Sequence, residues 1–244
     1  MTSSDSRRPW TLLLMAAAFL VMVTLGIRQS FGLFLLPVTE ALGTGREVFS
    51  LALALQNLLW GIASPFAGAL ADKFGAGRVA AIGTLFYAGG LVVMASFVSP
   101  SGLMMGQLMI GIGLGSAGVS IALGAVARAV APEKRSLALG MVTSIGSFGQ
   151  FAVLPVTQIF IDGYGWQVSL LLLSGLSASM LASCLLMARD EKVREVRTAD
   201  IANITMNGML KTALSSTDYL LLTVGFFVCG IQVVFIATHL PTYL

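Results

Sequence analysis

The chain has 244 residues, of which 57% are hydrophobic and 10% are charged. Soluble globular proteins carry about 25% charged residues, so this composition excludes an ordinary soluble domain and indicates a polytopic membrane protein. The formal net charge of +3 does not indicate a nucleic-acid ligand, because the basic residues fall in the loops between apolar spans.

Seven apolar spans follow one another along the chain, and about 20 apolar residues suffice to cross a bilayer as a helix. Their predicted bounds are 11–36, 48–70, 79–98, 102–125, 136–159, 166–188 and 219–241. The polar segment 189–218, which contains the densest charge run of the chain, is predicted to be a cytoplasmic linker. We therefore expect an all-α membrane protein in which 1–188 form a six-helix bundle.

The distribution of Lys and Arg predicts the orientation of these spans, since cytoplasmic loops are enriched in both residues. A cytoplasmic N-terminus places Arg46 outside and Arg28 within the membrane. It places the other 12 of the 14 basic residues inside: Arg7, Arg8, Lys73, Arg78, Arg128, Lys134, Arg135, Arg189, Lys192, Arg194, Arg197 and Lys211. We expect a multi-pass protein of a bacterial inner membrane.

Arg28 is the most informative residue of the first span, because it is a cation in an otherwise apolar stretch. A guanidinium at that depth costs several kcal/mol (about 2.5–3.5 on insertion scales) unless it faces a partner or a polar cavity. Such a residue is typical of a binding site for an anion, and the neighbouring Gln29 and Ser30 are expected to share its ligand.

The loop between spans two and three carries the sharpest motif, Gly68-Ala-Leu-Ala-Asp72-Lys73-Phe-Gly75-Ala-Gly-Arg78. Gly68 is expected to permit close helix approach, and Gly75 a tight reversal of the chain. This stretch resembles the loop signature of the major facilitator superfamily. The resemblance implies a bundle of two inverted three-helix repeats, completed by a second bundle of which the seventh span would be the first helix.

A second stretch of the same resemblance lies between spans four and five, in Pro132-Glu133-Lys134-Arg135-Ser-Leu-Ala138-Leu-Gly140. Glu133 is placed to stabilise the start of a helix through its dipole. Glu133 and Arg135 are also expected to pair with the Asp72 loop. The conformational latch predicted from both loops contains Gly68, Asp72, Lys73, Gly75, Arg78, Glu133 and Arg135.

Within the superfamily, the stretch around Arg28 and the Gly-rich fourth span look like the monocarboxylate porters and their bacterial relatives. The resemblance implies transport of a small organic anion, with a proton or in exchange for a related anion. Gln107 stands where proton-coupled drug antiporters carry an Arg, and 146–149 lack the antiporter proline. Both departures favour a carboxylate porter over a drug exporter, and a multidrug or sugar porter of the same fold is the alternative.

Other polar residues in the spans are candidates for the wall of a midplane cavity, although packing between helices is an alternative role for each. The complete substrate-binding set predicted from the sequence is Arg28, Gln29, Ser30, Gln56, Asn57, Thr143, Gln150 and Gln232. His239 is a candidate for proton coupling, because the pKa of an imidazole ordinarily lies near physiological pH.

Other classes fit the sequence less well. A seven-helix retinal protein needs a Lys in its last helix, and span seven has none. A membrane-embedded enzyme would need paired carboxylates or a nucleophile–base set, and the spans contain neither. We expect no metal, no cofactor and no nucleic-acid partner. The expected partners are a small anion, protons and the lipid bilayer, and the full-length protein is expected to be monomeric.

Overall fold

The computed structural model describes residues 10–192 and 215–239, and the regular elements within these stretches are all helical. In chain order they are α1 (Trp10–Ser30), a 3₁₀ turn (Phe31–Phe34), α2 (Leu35–Leu42), α3 (Arg46–Phe74), α4 (Ala76–Ser96), α5 (Pro100–Ala117), α6 (Val119–Ala129), α7 (Pro132–Tyr164), α8 (Trp166–Lys192) and α9 (Thr217–His239). The prediction of an all-α protein is confirmed.

Six helical stretches are long and apolar enough to cross a membrane, and they coincide with the first six predicted spans. They are Thr11–Leu42, Arg46–Phe74, Ala76–Ser96, Pro100–Ala129, Pro132–Tyr164 and Trp166–Ala188. The predicted seventh span falls on α9, in which the apolar stretch Thr223–Val233 is shorter than the other six. Most of the predicted linker, 193–214, lies outside the described residues.

The helices pack in the pattern that two repeats of three spans require. If span one corresponds to span four, two to five and three to six, each contact should have a counterpart. The contact of α1 with α7 is matched by that of α5 with α3, and the contact of α4 with α5 by that of α8 with α1. The contact of α4 with α8 is its own counterpart. Because each repeat has an odd number of spans, the two repeats have opposite orientations in the membrane.

The first span of each repeat is interrupted near its middle. Span one tightens into the 3₁₀ turn after Ser30, and span four leaves helical geometry at Gly118, whose φ is −86° and ψ −171°. The corresponding second spans also match, since α3 and α7 each contain an internal proline, Pro65 and Pro155. Interrupted helices at corresponding positions of inverted repeats are typical of substrate sites in secondary transporters.

Glycines allow the closest helix contacts in the bundle. A Cβ on Gly113 of α5 would lie 2.8 Å from the carbonyl oxygen of Gly83 on α4, and a Cβ on Gly111 would lie 2.7 Å from that of Gln56 on α3. In the α1–α7 contact, a Cβ on Gly149 would collide with the backbone of Met22. Small residues at such crossings bring helix backbones close enough for dense packing in lipid.

Candidate functional site

Arg28 lies in the last turn of α1, directly before the 3₁₀ turn, and its side chain is partly buried. Its Nη2 donates a hydrogen bond to Oδ1 of Asn57 on α3, with an N···O distance of 3.0 Å. Its Nε is buried and has no hydrogen-bond partner among the described residues. No carboxylate within those residues forms a salt bridge with Arg28, so the described protein leaves its positive charge without a counter-ion.

Asn57 is oriented for this contact by its own helix. Its Nδ2 donates to the carbonyl oxygen of Leu53, 2.7 Å away and one turn earlier on α3. The amide oxygen is then directed to Arg28, so the two hydrogen bonds form a short relay from the backbone of α3 to the guanidinium. The predicted proximity of Arg28 and Asn57 is present in the structure.

Trp60 completes this cluster and was not among the residues predicted from the sequence. The Arg28 Cζ lies 4.8 Å from the centroid of the indole ring, which places the cation over the aromatic face. Trp60 follows Asn57 by three residues, so the two side chains share one face of α3. That three-residue spacing is the feature of the sequence that could have indicated Trp60 as a neighbour of Asn57. We call Arg28, Asn57 and Trp60 the Arg28 cluster.

Two hydrogen bonds at Thr24 join α1 to neighbouring helices near Arg28. The hydroxyl of Thr24, one turn before Arg28, donates to the carbonyl oxygen of Ala117 at the end of α5, 3.4 Å away. The carbonyl of Thr24 accepts a hydrogen bond of 3.2 Å from the hydroxyl of Tyr87, a fully buried residue of α4. Both bonds join α1 to neighbouring helices at the depth of the cluster, which restrains the position of Arg28.

The other predicted residues of the first two spans do not contact the guanidinium through a described hydrogen bond. Ser30 is fully buried, and its hydroxyl donates to the carbonyl oxygen of Ile27, 2.7 Å away, so it bonds back to its own helix. Gln29 is partly buried. Gln56 is 1% exposed, and its Oε1 has no hydrogen-bond partner among the described residues. These positions therefore stay predictions as ligand contacts.

The candidates on α7 and α9 lie apart from the cluster in the described contacts. Thr143 is exposed, and its hydroxyl donates to Leu139 of the preceding turn. Gln150 is partly buried and Gln232 is exposed. His239 is the last residue of α9, and its side chain lies outside the described residues. A site role for these four residues stays a prediction.

Asp72 of the loop motif forms an ion pair at one end of the bundle. The basic residues at this end are Lys73, Arg78, Arg128, Lys134 and Arg135. Nη1 of Arg128 lies 3.1 Å from Oδ1 of Asp72, so the end of α6 is joined to the end of α3. The expected partners of this loop were Glu133 and Arg135. Both begin α7 as exposed residues and form no described ion pair.

Of the two glycines of the motif, Gly75 has its predicted role and Gly68 does not. Gly75 has a φ of +97° between α3 and α4, which confirms the tight reversal. Lys73 lies 5.3 Å from the ring centroid of Phe74, and Arg78 Nη1 donates to the carbonyl oxygen of Phe74 at 3.5 Å. A Cβ on Gly68 would meet no atom within 4 Å, so the expected close helix approach at Gly68 is absent from the described residues.

The Asp72–Arg128 pair can be tested by exchanging its charges. For the anion transport that the sequence resemblance implies, we expect Asp72→Arg and Arg128→Asp each to slow uptake, and the double exchange to restore much of the rate. The two side chains are 69% and 47% exposed, so their coupling should contribute less than about 1 kcal/mol to stability. Initial uptake rates and unfolding midpoints of the three variants would check this. A double exchange as slow as the single variants would show that the pair itself does not matter.

Six membrane-length helices, inverted repeats and an intramembrane cation define a polytopic membrane protein that carries a charge within one of its spans. The family model of the Major Facilitator Superfamily matches residues 10–244, so the chain belongs to this superfamily.

The chain is similar in sequence to three members of known name. It is 24% identical over 241 residues to the uncharacterized MFS-type transporter YcxA of Bacillus subtilis, covering 97% of this chain and 58% of that protein. It is 33% identical over 105 residues to the putative niacin/nicotinamide transporter NiaP of the same species, covering 43% and 26%. It is 31% identical over 176 residues to monocarboxylate transporter 11 of mouse, covering 69% and 38%. The matched part of the chain thus covers between 26% and 58% of the length of these relatives.

Proposed function

We propose that this protein is a secondary transporter that moves a small organic anion carrying a carboxylate across the bacterial inner membrane. The observation that carries the proposal is Arg28, whose charge lies within a membrane span and has no carboxylate partner among the described residues. Burying a charge without a counter-charge is costly. A substrate carboxylate would supply that charge whenever the site is occupied.

The guanidinium is suited to such a ligand by its geometry. Arginine presents its N–H groups in a planar fork that matches the two oxygens of a carboxylate. Asn57 accepts from Nη2 and the guanidinium carbon lies over the Trp60 ring, while Nε has no described partner. The donors left free can form charge-assisted hydrogen bonds, which are roughly twice as strong as neutral ones.

The relatives' names support the same substrate class. Monocarboxylate transporter 11 of mouse is named for monocarboxylates. The Bacillus protein NiaP is named as a putative transporter of niacin and nicotinamide, and niacin is itself an aromatic carboxylate. We propose a monocarboxylate as the substrate, with the anion and a proton crossing together.

Alternating access is the mechanism that the architecture supports. We propose that residues 1–188 form one bundle and that α9 belongs to a second, with the polar segment 189–218 between them. α3 and α7 are the least buried of the six membrane-length helices, and both expose rows of apolar side chains, among them Leu58, Ile62 and Phe66. Rocking of one bundle against the other would expose Arg28 to each side of the membrane in turn.

Uptake of two labelled monocarboxylates, [¹⁴C]lactate and [¹⁴C]nicotinate, tests this proposal in a bacterial host that expresses the whole reading frame. We expect saturable uptake of at least one of them. A protonophore should abolish its accumulation, because the proton gradient would be the driving force.

Competition separates the proposed substrate class from the others. Nicotinate and nicotinamide form a matched pair that differs in the carboxylate, so nicotinate should compete and nicotinamide should not. Equal competition by both would contradict a site built on Arg28. Competition by glucose or tetraphenylphosphonium, with none by carboxylates, would instead indicate a sugar or multidrug porter.

A further inference from the structure

The indole of Trp60 contacts one feature of the bundle and lies near a second. One is the guanidinium of Arg28, whose Cζ lies 4.8 Å from the ring centroid. The other is the interruption of span four, since the indole Nε1 lies 3.6 Å from the position that a Cβ on Gly118 would occupy. The ring therefore lies between the guanidinium and the point where α5 ends and α6 begins.

The backbone at the interruption leaves no room for a side chain on Gly118. A Cβ there would collide with the carbonyl oxygen of Leu114 and would contact the indole nitrogen as well. The carbonyl of Ala117, freed at the end of α5, is held by the hydroxyl of Thr24 on α1. Span one thus contacts the interruption twice, directly through Thr24 and indirectly through Arg28 and Trp60.

We infer that Trp60 is a positioning residue for the Arg28 site: it keeps the guanidinium in the orientation that binds a carboxylate. This inference rests on the proposed function. The indole ring lies against the guanidinium, and the Asn57 hydrogen bond fixes the direction of Nη2. Both side chains come from one face of α3, so a single helix sets the direction of the free N–H groups.

Replacing Trp60 should therefore change affinity more than turnover. For Trp60→Leu we expect the KM for labelled lactate or nicotinate to rise about tenfold, as expected for losing a largely desolvated cation–π contact, with Vmax per transporter nearly unchanged. Trp60→Phe keeps an aromatic face and should recover most of the affinity. A residue that only filled space would be replaced as well by Leu as by Phe.

Fluorescence provides a second readout that does not depend on transport. Addition of the substrate to the purified protein should change the tryptophan emission, because the anion would bind beside the indole. The change should be present in the wild type and absent in Trp60→Phe. Trp166→Phe is the matched control, since Trp166 begins α8 and forms no described contact with the cluster. It should keep both the wild-type KM and the emission change.

The outcomes distinguish this inference from the proposed function. If Arg28→Lys impairs uptake while Trp60→Leu keeps the wild-type KM, the role assigned to Trp60 is wrong and the anion site stands. A substrate-induced emission change that persists in Trp60→Phe would also overturn it. If uptake does not depend on Arg28, the proposed function itself fails. If Trp60→Leu does not accumulate in the membrane, the substrate-induced emission change decides, since it should be present in the wild type and absent in Trp60→Phe.

Discussion

Arg28→Ala should abolish saturable uptake of the monocarboxylate without preventing insertion of the protein. Hydrogen bonds to charged groups contribute about 1.5–3 kcal/mol each, so losing a two-pronged contact should lower uptake at low substrate concentration by about 100-fold or more. Arg28→Lys keeps the charge but not the planar fork, and we expect it to recover only part of the affinity. Initial rates normalised to the amount of protein in the membrane measure both effects.

Stability should move in the other direction from activity. An arginine within a membrane helix costs about 2.5–3.5 kcal/mol on insertion scales, and Arg28 has one described hydrogen bond and one ring contact to offset this cost. The thermal unfolding midpoint of Arg28→Ala should therefore match or exceed that of the wild type.

Arg46→Ala, which removes an exposed cation at the start of α3, is the control and should transport normally. Wild-type KM in Arg28→Ala would refute the site.

Gly149→Val should destabilise the bundle more than any surface substitution on α7. A Cβ at this position would collide with the backbone of Met22 on α1, and a backbone contact cannot be relieved by a change of rotamer. Overpacking typically costs 1–3 kcal/mol, and we expect a loss of about 3 kcal/mol here because two helix axes must separate. The unfolding midpoint of the detergent-purified protein and its yield in the membrane measure this loss.

Gly140→Val is the matched control for this substitution. It makes the same change on the same helix, but a Cβ on Gly140 would meet no atom within 4 Å. Any cost of valine in a helix applies equally to both variants, so the difference between them isolates the contact of α1 with α7. Equal midpoints for the two variants would show that these helices do not pack as closely as the structure has them.

The fold was largely predictable because the bilayer imposes a length scale on the chain. The first six apolar spans each coincide with a membrane-length helix. The loop glycine Gly75 was predictable as well, since a reversal between two long helices needs a residue that tolerates positive φ. The interruptions at Ser30 and Gly118 were not predicted, because neither contains a proline and each lies inside one continuous predicted span.

Two of the three residues of the Arg28 cluster, Arg28 and Asn57, were predictable from the sequence. Arg28 is conspicuous because charge within an apolar span is costly, and Asn57 is conspicuous for a similar reason. Trp60 was not, since an aromatic residue in a membrane helix is ordinary until a cation is found over its ring. Arg128 was likewise missed as the partner of Asp72, because both basic loops offered plausible cations.

By itself, therefore, the sequence determined that this chain crosses a membrane repeatedly, how many residues each crossing takes and that one cation lies within the membrane. These properties follow from hydropathy and charge, which act residue by residue along the chain. Only the tertiary structure decided that Arg28 meets Asn57 and Trp60, that Asp72 pairs with Arg128 and that Gly149 contacts Met22. Such pairings depend on which helices are neighbours and on how each is rotated about its axis, and in lipid this is set by close packing of whole helices.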